Sequence, residues 1–112
     1  MKVSFDGIGE NLITFYDGGS ANAGCMVKMS APKTVDACGA GENFCGFCQV
    51  TDGEYAAVQT AGYISVGYTG GAPAMGWAKL AGDGKGVCQS ETGREYLVVD
   101  VDEINMTVGF ML

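Results

Sequence analysis

Phe44-Cys45-Gly46-Phe47-Cys48-Gln49-Val50-Thr51-Asp52-Gly53-Glu54-Tyr55-Ala56-Ala57-Val58-Gln59-Thr60 reads as two strands and the turn between them. Phe44–Val50 is a nearly continuous apolar run, and Asp52-Gly53 is a strong short-range hairpin signal because both residues tolerate the positive backbone angles a tight turn requires. Tyr55–Thr60 is the return strand. Working outward, the same alternation and the same punctuation recur. Gly62–Tyr68 alternates Tyr63 and Ser65 against Ile64, Val66 and Tyr68. Cys25–Met29 alternates on the N-terminal side and stops at Pro32, with Thr34–Cys38 as a further short strand.

Beyond Gly70-Gly71-Ala72-Pro73, Ala74–Leu80 carries the only tryptophan, Trp77. Asp83-Gly84-Lys85-Gly86 is a second tight turn before the short Val87–Gln89. Glu95–Asp102 sets Leu97, Val99 and Val101 against Tyr96, Val98 and Asp100, and Met106–Met111 closes the chain. Leu12–Tyr16 is the first strand, and Gly18–Gly24 a small polar loop. The reading is all-β, a small single-domain barrel or sandwich of short strands joined by glycine turns. The organisation it suggests is an arm and linker over residues 1–24 and a body over 25–112, with no internal repeat of fixed period.

Composition points the same way. The 112 residues are a usual size for one domain and short for two cores. Glycine numbers 19, so a helix of ordinary length would have to absorb several, each at about 1 kcal/mol relative to alanine. The longest glycine-free run, Arg94–Val108, is β-branched and alternating, which favours strand. Hydrophobic residues at 47% exclude a disordered chain. A net charge of −7 leaves no basic patch for phosphates or an anionic membrane, so neither nucleic acid nor membrane is expected as a partner. No apolar window is long enough to span a bilayer, and the start lacks the apolar core of a secretion signal. Five cysteines, an odd number, fit free thiols in a reducing cytosol.

The residues that could carry chemistry are few. There is no histidine, which removes histidine-based triads and the commonest metal ligand. In Cys45-Gly46-Phe47-Cys48 a regular strand would hold the two Cα atoms about 10 Å apart, whereas a disulfide needs less than roughly 7 Å. Cys38, Cys45, Cys48 and either Cys25 or Cys88 are the candidate thiolates for a structural zinc, set against the plainer reading that cysteine is a small core residue. Asp100, Asp102 and Glu103 lack the spacing of a calcium loop. Gly82-Asp83-Gly84-Lys85-Gly86 lacks the Lys-Ser/Thr and following helix of a phosphate loop. No catalytic residue, cofactor or enzymatic activity is expected.

Three stretches carry a resemblance: Tyr55–Gly70, Gly93–Asp102 and Thr107–Leu112. Together they resemble the small capsid decoration, or cement, proteins encoded by tailed phages and prophages of gut bacteria, over roughly Gly24 to Leu112. Val3–Tyr16 is similar in character to the arm that precedes the body in that family. The resemblance implies a β-tulip-like body that joins the outside of an assembled head, often as a homotrimer, with the major capsid protein as partner. It implies synthesis in the host cytoplasm, residence on the virion exterior and no catalytic residues. On this reading Val3, Phe5, Leu12, Ile13, Phe15, Tyr16 and Trp77 are the expected capsid or partner contacts. The alternatives are another structural β-protein of a tail tube, fibre or filament, or a small zinc- or thiol-containing cytosolic module.

Overall fold

The computed structural model describes residues 10–112, and these contain ten strands and no helix. They are β1 Asn11–Asp17, β2 Met26–Ala31, β3 Thr34–Ala37, β4 Gly46–Thr51, β5 Tyr55–Ala61, β6 Tyr63–Thr69, β7 Gly76–Asp83, β8 Gly86–Gln89, β9 Arg94–Asp102 and β10 Thr107–Met111. Every strand expected from alternation is present. The Asp52-Gly53 turn joins β4 to β5: the Asp52 carboxylate accepts from the amides of Glu54 and Tyr55, and Gly53 takes a positive φ of 91°. Pro32 lies in the turn after β2, beside Lys33, whose φ is 58°.

The strands form two closed barrels in tandem. Around the first the order is β1-β3-β2-β4-β5, and around the second β6-β8-β7-β9-β10. In each barrel the first strand runs parallel to the third and antiparallel to the fifth, which closes the ring. The registers match as well. Ile13–Val58, Phe15–Ala56 and Asp17–Val35 answer to Ile64–Phe110, Val66–Val108 and Tyr68–Val87. The first partner of each pair moves by 51 positions and the second by 52. The chain is therefore a structural repeat.

Two expectations change here. The length suggested one core; there are two clusters. Val27, Val35, Cys48, Ala56 and Val58 fill the first barrel, and Ile64, Leu80, Val98, Val108 and Phe110 belong to the larger second cluster. Closing each sheet on itself lets five short strands with small inward residues make a core without a second layer. The first barrel uses Ala56 and Val58 where the second uses Val108 and Phe110, so position repeats and identity does not. The arm over residues 1–24 also changes. Asn11–Asp17 is hydrogen-bonded on both edges and Phe15 packs on the first core, so this segment is part of the body.

The barrels are joined by more than their linker. Cys38 and Phe44, from the β3–β4 connection, and Met26 of β2 pack in the second cluster. Phe44 lies 5.0 Å from Tyr96 and 6.0 Å from Phe110 between ring centroids. Gly82 of β7 exchanges backbone hydrogen bonds with Gly41 and Glu42, and the Met26 amide donates to the Lys85 carbonyl. A Cβ at Gly82 would lie 2.3 Å from the Cys38 sulfur, so this joint requires glycine.

Candidate functional site

Inward-facing side chains alternate with outward ones along each strand, and on the second barrel the outward set forms a continuous row. Trp77 is opposite Leu97, Leu97 opposite Met111, and Met111 opposite Tyr63. The row crosses β7, β9, β10 and β6 with four large side chains. Leu97, Met111 and Tyr63 are half-buried, and Trp77 stands 70% exposed. Hollows flank Trp77 on both sides, one lined by Lys79, Gln89 and Glu91 and the other by Arg94, Leu97 and Met111.

The matching positions on the first barrel are Met26, Phe47, Gln59 and Leu12, again paired across β2, β4, β5 and β1. Their environment is different. Met26 is fully buried in the second cluster, Phe47 packs against that cluster, and Gln59 is 1% exposed. The Gln59 amide nitrogen donates to the Ala61 and Tyr63 carbonyls, and its side-chain oxygen accepts from Gln49, so the one buried polar side chain among the described residues is satisfied. Met26, Phe47 and Gln59 are thus covered within the chain, whereas Leu12 at the end of their row and Trp77 at the end of the other are exposed.

Two further apolar features lie elsewhere. Tyr16 and Tyr55, opposite each other on β1 and β5, are both exposed, with ring centroids 5.5 Å apart. At the tip of the second barrel, Ile104 in the β9–β10 turn is 94% exposed. It shares a hollow with Pro73 and Met75 that Asp100, Asp102 and Glu103 border. The turn is held by Asp102, whose carboxylate accepts from the amides of Ile104 and Asn105 and from the Asn105 side chain. These bonds favour the charged form and hold its pKa below the usual carboxylate value.

The expected contact residues separate. Leu12, Tyr16 and Trp77 are exposed, as is Ile13, while Val3 and Phe5 lie outside the described residues. Phe15 differs from these: it is half-buried and packs on the first core, which leaves little of it available for a contact. Leu97, Met111, Tyr63, Met75 and Ile104 are outward-facing or exposed apolar positions that the sequence did not single out as contacts. In β9 the reason is a bulge. Phe110 pairs with Val98 and Gly109 with Asp100, which leaves Val99 unopposed. Tyr96 and Val98 point inward before it and Val101 packs on the core after it, so both sides of the strand look apolar in sequence. The adjacent Leu97–Met111 pairing follows from that register, which is not written in either strand alone.

The cysteines do not gather. All five are free thiols, and no group of three or more metal-ligating side chains converges among the described residues. The four-thiolate zinc set is not assembled. Cys48 is in the first core and Cys45 packs against it, whereas Cys38 belongs to the second cluster and donates its thiol hydrogen to the Glu42 carbonyl. Burial pushes the thiols of Cys38, Cys45 and Cys48 up, the direction of poor nucleophiles.

Comparison with family models, with curated proteins and with solved structures finds no match to this chain.

Proposed function

We propose that this chain is a structural virion protein that binds the outside of an assembled tailed-phage capsid and stabilises it by bridging capsid subunits. The resemblance carried by Tyr55–Gly70, Gly93–Asp102 and Thr107–Leu112 supports the reading, and those segments are β5, β6, β9 and β10. The observation that carries it is the tip of the second barrel. Ile104 projects from a hydrogen-bonded turn beside Met75 of the β6–β7 connection, with acids around them. An apolar centre with a charged rim suits docking on a protein surface, and many copies on one head multiply a modest contact by multivalency. The site of action is the virion exterior after synthesis in the host cytoplasm.

Co-sedimentation with expanded heads of the phage or prophage that encodes the chain tests this. The wild-type protein is expected to pellet with the heads to saturation. Ile104→Asp, at a fully exposed turn position, is expected to weaken binding at least tenfold while leaving Tm unchanged. A wild-type protein that stays in the supernatant overturns the proposal, and unchanged binding by Ile104→Asp removes the tip from it.

A further inference from the structure

The spacing of Cys45 and Cys48 stands out in sequence, but the fold sets a different pair of thiols opposite each other. β2 and β4 run antiparallel, with Met26 opposite Phe47 and Val27 opposite Gly46. One residue further along that register, Cys25 lies just before β2 and opposite Cys48. The backbone bonds agree. The Cys48 amide donates to the Cys25 carbonyl at 2.9 Å, and the Gly24 amide donates to the Cys48 carbonyl at 2.8 Å. Alternation then fixes the faces. Met26 and Phe47 turn to the second cluster, while Val27 and Cys48 belong to the first core. Cys25, two residues before Val27, shares that inward face and is buried.

Residues opposite each other in an antiparallel pair have Cα atoms about 4.5 to 5.5 Å apart. A disulfide spans roughly 4.4 to 6.8 Å. The Cβ atoms need to approach by about 1 Å from the usual cross-strand separation. Cys25 can supply that movement, because it precedes the first residue of β2 and its own amide bonds back to the Asn22 carbonyl. Burial is the largest cause raising the Cys48 thiol pKa, and Asp17 and then Cys25 add to it, so the two thiols lie within electrostatic reach of each other.

We propose that Cys25 and Cys48 form a reversible disulfide that staples β2 to β4. The oxidant is a small-molecule disulfide of the glutathione type. The Cys25 thiolate attacks one of its sulfurs and a glutathione thiolate leaves. The Cys48 thiolate then attacks the Cys25 sulfur and displaces the second glutathione. Two protein thiols are oxidised to one disulfide, one glutathione disulfide is reduced to two thiols, and the protons of the protein thiols pass to the departing glutathiones. The staple falls where the first barrel is thinly paired. β2 and β4 pair at Met26–Phe47 and Val27–Gly46, whereas β1 and β5 pair from Asn11–Ala61 to Tyr16–Tyr55. A reducing cytosol keeps such a pair as thiols, and oxidising surroundings close it. The inference rests on the fold alone and is independent of capsid binding.

The folded protein, held with oxidised glutathione at about pH 8.5 until its mass is constant, tests this. The intact mass is expected to fall by two hydrogens with no glutathione retained. Tandem mass spectrometry after alkylation of the remaining thiols is expected to join Cys25 to Cys48. Tm is expected to rise by about 5 °C or more and to return when dithiothreitol is added. Cys25→Ala is expected to stay unbridged, and Cys45→Ala to bridge as the wild type does. An unchanged mass, or glutathione retained without an internal bridge, overturns the proposal. So does a bridge mapped to another pair, such as Cys38 with Cys45 or Cys45 with Cys48. A Cys25–Cys48 bridge that leaves Tm unchanged overturns its role as a staple.

Discussion

Asp17 illustrates how single residues tie this fold together. It ends β1, yet its carboxylate accepts from the Thr51 hydroxyl at 2.7 Å, across to β4, and from the amides of Gly19 and Ala21 in the following loop. The Thr51 hydrogen bond first, and the Gly19 amide next, hold its pKa below the ordinary 3.8. A depressed carboxylate contributes stability that is complete above the unfolded value and is lost as pH falls through the folded one. Asp17→Ala is therefore expected to cost about 1 kcal/mol at neutral pH, discounted because the group is close to solvent, and much less at about pH 2. Urea melts of both proteins at the two pH values check this. An equal cost at both would assign the loss to packing and not to charge.

Among the elements, the β3–β4 connection contributes most to joining the halves. Its Phe44 is part of an aromatic trio with Tyr96 and Phe110, in which Tyr96 and Phe110 are 5.3 Å apart. Phe44→Ala removes one ring of this mutually packed trio and is expected to cost about 3 to 5 kcal/mol. Because the second cluster includes Met26 and Cys38 from the first barrel, the wild-type chain is expected to unfold in one transition. Phe44→Ala is expected to split it in two, with the first barrel melting earlier, as differential scanning calorimetry would show. A single transition in the variant would mean that Met26, Cys38 and the Gly82 joint couple the halves without Phe44.

Elements were the most legible level of the sequence. Alternation and glycine turns located every strand from Leu12 onward, since each rests on local chemistry: the Asp52 carboxylate capping its own turn, or Pro32 stopping β2. Pairing was less legible. The parallel neighbours β1 and β3, and β6 and β8, are set by ring closure and not by adjacent residues. Bulges hid faces, as at Val99. Trp77, Tyr16 and Leu12 were found as candidate contacts because large apolar groups stand out by type. Ile104 and Met75 were not, because a residue in a turn carries no periodic signal of exposure. Cys45-Gly46-Phe47-Cys48 drew notice by spacing, and the structure places Cys48 in the first core with Cys45 packed against it.

For the molecule as a whole, the repeat is the organising fact, and substitution at matched positions concealed it. Ala56 and Val108, or Val58 and Phe110, share a place in the ring without sharing a size. Repetition gives one chain two barrels and a packed contact between them.

The most direct measurement is the temperature at which filled heads release their DNA, read with a dye that is excluded from intact shells. Heads saturated with the wild-type protein are expected to hold their DNA to a clearly higher temperature than bare heads, and heads mixed with Ile104→Asp to behave as bare ones. Release at the same temperature from bare heads and from heads shown to be saturated with the wild-type protein would contradict a stabilising role.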